Sequence, residues 1–330
     1  MILLLSSDGD YSTDLIVKWL KSRGYSDFIR LHPVDFVERN VRVYPADGKF
    51  SFKGVNFDFA SVNVVWYRRF GNFARSSYYL RVKDSIGESA AELLKYEINN
   101  IVDFFVSMIP DKAQFIGSTR KGNTNKLVEL WHARSIGLEI PYTIVSGEKS
   151  DLIALISEGR RLISKSVYNA QNIRMGNDSY TMYTTRVDGR DVESLPDSFF
   201  PSMIQEEIDK DFEIRVFYIL GKIYSMAIIS QDNPQTILDY RRYDVKKPNR
   251  FLPCKIDAEL EEKIGLFMRK MDLNIGSLDF IRGLDGKTYF LEVNFMGQFG
   301  MVDFPCNYGI HRYICDLLIE YDKRKYEVSD

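Results

Sequence analysis

Short apolar runs alternate with amphipathic stretches from the first residues onward, the pattern of a chain that builds strands and helices in turn. Ile2–Ser6 reads as a strand that stops at a Ser/Asp/Gly loop. Ser12 or Thr13 can cap the helix after it, which carries Leu15, Ile16, Trp19 and Leu20 on one side and ends near Gly24. A strand at Phe28–Leu31 completes a βαβ-like opening. Val41–Tyr44 and Phe50–Phe52 read as a hairpin, Val62–Tyr67 as a buried strand with Arg68-Arg69 at its tip. Helical spacing then runs from Glu88 to Met108, and Pro110 stops it. This α/β block, to about residue 113, has no glycine fingerprint for a dinucleotide.

Further on, Asn123–Ile136 is a helix striped by Leu127, Leu130, Trp131 and Ala133, with a stop at Gly137. Tyr142–Val145 is a strand, Asp151–Ser157 a helix and Leu162–Lys165 a strand. A polar loop, 169–179, leads into Tyr180–Arg186, and the charged segment Met203–Ile208 follows. Glu213–Leu220 and Lys222–Ile229 form a strand pair joined at Gly221, Asp257–Met271 is a helix, and Tyr308–Tyr321 is the closing helix.

Between those last two helices lies the most informative pattern in the chain. Ser277–Arg282 and Thr288–Asn294 alternate in polarity and flank Asp285-Gly286, a dipeptide suited to a two-residue hairpin turn. Closed there, the hairpin sets Asp279 opposite Glu292, with Asn294 on the same face. The other face collects Leu278, Phe280, Leu291, Val293 and Phe295. Two carboxylates facing across a ladder cost roughly 0.2–1 kcal/mol, and a divalent cation between them reverses that sign. Two carboxylates and an amide oxygen are the hard donors Mg²⁺ accepts beside water and phosphates. Spacing alone fits a solvated polar face equally well. The apolar, glycine-containing loop Phe295–Met301 is a poor choice for a solvated edge and favours the site.

Composition excludes several classes. Forty-four Lys and Arg against 46 Asp and Glu give a net charge of −2, so nothing global points to nucleic acid or an anionic membrane. No apolar stretch approaches the ~18 residues of a membrane span, and Ser6–Asp10 ends the first apolar run too early for a signal peptide. Cys254, Cys306 and Cys315 form no metal-spaced pair, and free thiols in a reducing cytoplasm are expected. Aromatic residues make up 14% of the chain, which suits extensive packed surfaces and grooves.

Other polar residues admit two readings each. Lys126 opens a helix and Lys165 ends a strand, positions that reach phosphate oxygens or simply the surface. Gln205-Glu206 after Met203-Ile204 suits a hinge against an adenine edge, and Glu213 could take ribose hydroxyls. Both glutamates also suit a solvated element end. Arg215 on an apolar strand is a structural ion pair or an anion clamp. Arg241 and Arg242 are a grip on an acidic peptide or an exposed basic loop. His32, His132 and His311 read as structural.

Leu-Asp-Phe followed by Leu-Glu-Val-Asn, together with the order Lys126, Lys165, Gln205-Glu206, Glu213, Arg215, Asp279, Glu292, Asn294, resembles the ATP-grasp ligases over about residues 115–305. The resemblance implies an α/β ATP-grasp fold with an N-terminal α/β lobe (1–113) and two α+β subdomains (114–190 and 191–330) clamping the nucleotide. It assigns Lys126 and Lys165 to the phosphates, Gln205 and Glu206 to adenine, and Glu213 to the ribose. Asp279, Glu292 and Asn294 would hold Mg²⁺, as two ions, and Arg215 with Lys165 would be catalytic. The loop Tyr168–Gly176 is poorer in glycine than the family's usual phosphate lid, and Gln231–Arg250 does not resemble a small-amino-acid pocket.

That second segment, with Gly297–Gly300 and Pro305–Tyr308, is similar to the graspetide (microviridin-type) maturases and most to their grasp-with-spasm branch. The resemblance implies an acidic precursor peptide (leader plus core) as substrate, held by Asp239, Arg241 and Arg242. It leaves room for a companion SPASM-type protein and a homodimer. A cytoplasmic enzyme is expected that turns Asp or Glu side chains into acyl phosphates with ATP and closes ester or amide rings. The rival within the fold is a ribosomal-protein-glutamate-ligase-like enzyme that adds an amino acid. Outside that chemistry stand a plain kinase and a binding module without turnover.

Overall fold

The computed structural model describes residues 1–70, 73, 76–117, 125–168, 172–175, 178–181, 183–242 and 244–324. It divides into two compact units, Met1–Gly122 with Gly309–Asp330, and Asn123–Tyr308.

The first unit is built on a parallel sheet in the order Phe28–Leu31, Ile2–Ser6, Val64–Arg68, Gln114–Ile116. Every residue of Ile2–Ser6 is buried, as a parallel strand covered on both faces requires. The helix Tyr11–Ser22 begins earlier than Ser12 or Thr13 would have it, with Asp10 at the cap position. The Thr13 hydroxyl instead donates to the Asp10 carboxylate at 2.7 Å. The expected hairpin gains a third strand, Val55–Asp58, and a helix at Ser77–Ile86 was not legible in the pattern. Helix Glu88–Ser107 packs Ala91, Ile98, Val102 and Phe105 into the core, where Phe105 meets the rings of Phe36, Phe50 and Phe59 at 5.1–5.3 Å.

Two expected boundaries move. The closing helix, Ile310–Lys323, buries Ile314, Leu317 and Leu318 and packs on the helix Tyr11–Ser22 and the strands Ile2–Ser6 and Val64–Arg68. It therefore belongs to the first unit, not to 191–330. The strand Ser198–Glu206 pairs with Thr143–Glu148 and with Leu162–Lys165, so the first clamp subdomain runs past residue 190.

The second unit holds two antiparallel sheets. One has the order Thr185–Val187, Leu162–Lys165, Ser198–Glu206, Thr143–Glu148. The other has the order Arg250–Pro253, Lys222–Ile229, Lys210–Ile219, Ile275–Gly283, Thr288–Asn294. A small hairpin, Asn172–Met175 with Asp178–Thr181, stands apart. The underside of the five-stranded sheet presents Val216, Leu278, Phe280, Phe290 and Val293 to helix Ala258–Lys270, whose Leu260, Ile264, Phe267 and Met268 are buried. Phe290 sits 4.8 Å from Phe267 and 5.6 Å from Phe280 between ring centroids. Truncating one such ring to Ala typically costs about 3–5 kcal/mol, so this layer fixes the plane from which the polar face rises. Among the described residues no helix is long and apolar enough to cross a membrane.

Candidate active site

The polar face of the five-stranded sheet is shaped by two irregularities. The hairpin turn is not the two-residue type: Gly283 N–H donates to Lys287 O at 2.8 Å, and Gly286, at φ +80°, closes a three-residue loop. That moves the register by one residue, and Phe280 pairs with Phe290. A bulge at Leu291 then restores it, so Asp279 does face Glu292. Leu291 consequently leaves the apolar underside expected for it and lines the cleft, while Phe290 takes its place in the core. A second shift, at Asp211, turns Lys210 onto the same face as Glu213, where its ammonium reaches the Glu213 carboxylate.

Across the sheet, Arg215 is the register partner of Asp279, which is the partner of Glu292. Arg215 Nη1 donates to both Asp279 oxygens, at 2.9 and 3.1 Å. Asn125 caps the helix Lys126–Ser135, its side chain accepting from Leu127 N–H at 2.9 Å. One turn on, the buried Glu129 carboxylate accepts from Val293 N–H at 3.0 Å and ties that helix to the hairpin. Lys126 is thereby held over Glu292, 3.0 Å away, and also donates to Ser166 O at 3.2 Å.

These groups line a cleft of about 470 Å³ together with Lys165, Lys210, Tyr240, Arg241 and Gln298. A second cavity of about 320 Å³ adjoins it through the shared residues Lys165, Thr184, Lys210, Leu238, Ile281 and Leu291. Its walls are more apolar (Pro141, Ile163, Ile237, Ile281) and include Gln205 and Glu206. The first cavity is thus lined mainly by charged groups, while the second adds an apolar wall to charged residues such as Arg161, Arg186 and Glu207.

Electrostatics sharpen the contrast. Burial lowers the Lys165 ammonium to about 8, with Glu292 opposing the drop and Lys126 deepening it. Burial raises the Asp279 carboxyl further than Arg215 can lower it, and the charge of Glu292 adds to the rise. Burial acts on Glu292 too, yet Lys126 and Lys165 outweigh it and hold that carboxyl below its usual range. Glu213 is pushed up by burial against the pull of Lys210.

Two facing carboxylates, one of them raised, are a donor pair that a divalent cation would relieve. Asn294 shares their face, and its Oδ1 is oriented by accepting from Met296 N–H at 3.0 Å. Among the described residues no group of three His, Cys, Asp or Glu side chains could hold a metal. Two carboxylates and an amide suit Mg²⁺, which keeps waters and phosphate oxygens as its remaining ligands.

No family model matches the chain, and no curated protein matches it. Solved structures do. A Chryseobacterium gregarium RiPP-associated ATP-grasp ligase, in complex with ADP and a leader and core peptide, superposes with a TM-score of 0.83 at 22% identity, over 97% of this chain and 96% of that one. The macrocyclase MdnC of Microcystis aeruginosa MRC, bound with precursor peptide MdnA, gives 0.77 at 23% identity over 97% and 99%. The ATP-grasp ligase PsnB, complexed with a minimal precursor, Mg and ADP, gives 0.75 at 19% identity over 98% and 97%. The chain has the ATP-grasp fold.

Within that fold the structure gathers Lys126, Lys165, Glu213, Arg215, Asp239, Arg241, Asp279, Glu292 and Asn294 around one cavity and Gln205 and Glu206 around its neighbour. Three of the expected site residues, Glu206, Gln205 and Arg242, are spoken for in ways the spacing did not show. Glu206 is held by Arg160 at 2.9 Å, and Gln205 is buried with its amide donating to Thr143 Oγ1 at 2.8 Å. Arg242 does not itself line the main cavity; its guanidinium lies over the Tyr183 ring and donates to Thr184 O at 3.2 Å, two residues that do line it. Arg241, locked to Asp239 at 2.7 Å, is the one of the arginine pair that lines the cleft. Of the loop after Lys165, residues 169–171 and 176–177 lie outside the described residues, as does Tyr243 of the segment Asp239–Asp244.

Glu129, Lys210, Tyr240 and Leu291 were missed. Glu129 carried a faint signal, an acid inside the apolar stripe of a helix. Lys210 and Leu291 carried none, because strand parity puts them on the wrong face until the bulges are known.

Proposed function

We propose that this chain is an ATP-dependent carboxylate ligase that activates Asp or Glu side chains of a ribosomally made precursor peptide and closes intramolecular ester or amide links. The observation that carries the reading is the row Arg215–Asp279–Glu292–Lys126 lining a cleft that also holds Lys165. It offers cations for phosphate oxygens and hard oxygen donors for Mg²⁺ side by side. The adjoining cavity beside Gln205 and Glu206, with Pro141, Ile163, Ile237 and Ile281 in its walls, is of a kind to take a purine, with Glu213 for the ribose. Proteins of the same fold, some complexed with nucleotide and precursor peptide, support the reading at the level of substrate class.

The chemistry follows from these groups. A peptide carboxylate oxygen attacks the γ-phosphorus, the bond to the bridging oxygen of ADP breaks, and an acyl phosphate remains. A hydroxyl or amine of the same peptide then attacks the acyl carbon, the C–O bond to phosphate breaks, and the nucleophile's proton leaves with the phosphate. Mg²⁺, held by Asp279, Glu292 and Asn294, would supply charge neutralisation on the phosphate oxygens. Lys126 and Lys165 add fixed positive charge there, and Arg215 adds it where the acyl group forms. Holding donor and acceptor on one peptide supplies the entropic part of the acceleration.

Arg241, buttressed by Asp239, is proposed to meet the acidic core of the peptide, with Arg242 bracing the same loop from behind. Membership of the grasp-with-spasm branch, a companion SPASM-type protein, a homodimer and a cytoplasmic setting rest on the sequence resemblance and composition.

Incubation with MgATP and the small acidic peptide encoded beside the gene tests the reading by mass. Each turnover should lower the peptide by one water and release one phosphate. A peptide that gains phosphate or glutamate would replace the ligase-macrocyclase assignment by a kinase or an amino-acid ligase.

A further inference from the structure

The end of the cleft away from the apolar cavity holds a hydroxyl whose hydrogen-bonding is incomplete. Tyr240 lines the cleft beside Arg215, Gln298 and Met301. Its oxygen accepts from Arg215 Nη1 at 3.1 Å. Among the described residues its proton is directed only at the Met301 thioether, 4.0 Å away, a weak acceptor. Arg215 is incompletely used as well: Nη1 serves Asp279 and Tyr240, while the buried Nε–H has no partner among the described residues. Two strong donors so placed lack an oxygen acceptor. The Asp279 carboxylate is already committed to Arg215.

We propose that Tyr240 is a catalytic donor to the substrate, its O–H joining Arg215 on the carbonyl oxygen of the carboxyl group that is being activated and then attacked. The inference rests on the ligase reading above and deepens it by naming the group that receives the acyl oxygen. When the nucleophile adds to the acyl carbon, the C=O pair moves onto that oxygen. The charge falls between a guanidinium and a phenol, then returns as the C–O bond to phosphate breaks. Tyr240 transfers no proton; it donates a hydrogen bond that strengthens as the charge grows. Burial keeps the phenol protonated well past its ordinary range, with the Asp279 charge adding to the effect, so the donor is present at working pH.

Tyr240→Phe keeps the ring and removes the donor. With MgATP and the acidic peptide encoded beside the gene, its turnover should fall about 100-fold, the loss typical of one oxyanion donor, with nucleotide affinity unchanged. Loss of an Arg215 support alone could slow the enzyme too, so a second variant separates the roles. A polyfluorinated tyrosine at position 240 ionises at lower pH, and its phenolate still accepts from Arg215 but cannot donate. The alkaline limb of its turnover profile should shift to lower pH. Wild-type turnover by Tyr240→Phe, or an unshifted alkaline limb in the fluorinated protein, would overturn the proposal. Failure of the underlying reading looks different: the unsubstituted chain then yields no dehydrated peptide and, with hydroxylamine present, no hydroxamate, and the Tyr240 role falls with it.

Discussion

Each unit contains a buried arginine–aspartate pair, and the two are finished differently. In the first, Arg68 Nε donates to Asp10 at 3.1 Å with side chains 4% and 3% exposed. Asp10 also accepts from Thr13, whose hydroxyl in turn accepts from the Trp66 indole at 3.0 Å. Among these contacts the Asp10 carboxylate is met by both a cation and a hydroxyl. In the second, Arg215 and Asp279 are slightly closer at 2.9 Å, but Asp279 remains 17% exposed, faces a second carboxylate, and shares its arginine with a half-satisfied tyrosine. A pair buried on both sides fixes a fold, whereas one with spare donors and a second acid facing a cavity waits for a guest.

The comparison breaks if the open pair proves structural. Glu292→Gln, nearly isosteric, should leave the fold intact and cut metal-dependent ATP turnover on the order of 10³-fold, the upper end of the loss from one preorganised electrostatic group. Steady-state assay across magnesium concentrations checks this, and ordinary turnover with ordinary magnesium dependence would close the open site. Arg68→Met should do the reverse. It leaves the Asp10 carboxylate buried without its cation, a loss of about 3–5 kcal/mol, visible as a lower denaturant midpoint.

The smallest effect concerns pH. Lys165, lowered to about 8 by burial first and by Lys126 in part, is charged below that pH and neutral above it. Phosphate binding needs the charged form, so nucleotide affinity should decline as pH rises through about 8. Bound phosphate should raise the Lys165 pKa, so association just above pH 8 takes up a proton. Titration calorimetry in buffers of different ionisation enthalpy measures that uptake, and Lys165→Arg should abolish it.

How far the sequence reaches is clearest at the hairpin. Alternation and an Asp-Gly turn paired Asp279 with Glu292, and the pairing holds, although the turn is one residue longer than read and a bulge at Leu291 returns the slip. The carboxylate face was legible because period-two alternation survives two offsetting shifts; the identity of Leu291 as a cleft residue was not. Lys210 stayed hidden for the same reason. Arg215 was legible as a lone cation on an apolar strand, with its role open. The destinations of Glu206 and Arg242 depend on Arg160 and Tyr183, partners 46 and 59 residues away in the chain, which no local pattern encodes. The closing helix went to the wrong unit because amphipathic periodicity states that a face is buried and not against what.

The claim at the centre is that a peptide carboxylate oxygen attacks phosphorus. Peptide whose Asp and Glu side chains carry ¹⁸O should be turned over with MgATP and the released phosphate analysed by mass spectrometry. The account predicts one ¹⁸O atom in each phosphate, transferred from the activated carboxyl group. Modified peptide accompanied by unlabelled phosphate would contradict it.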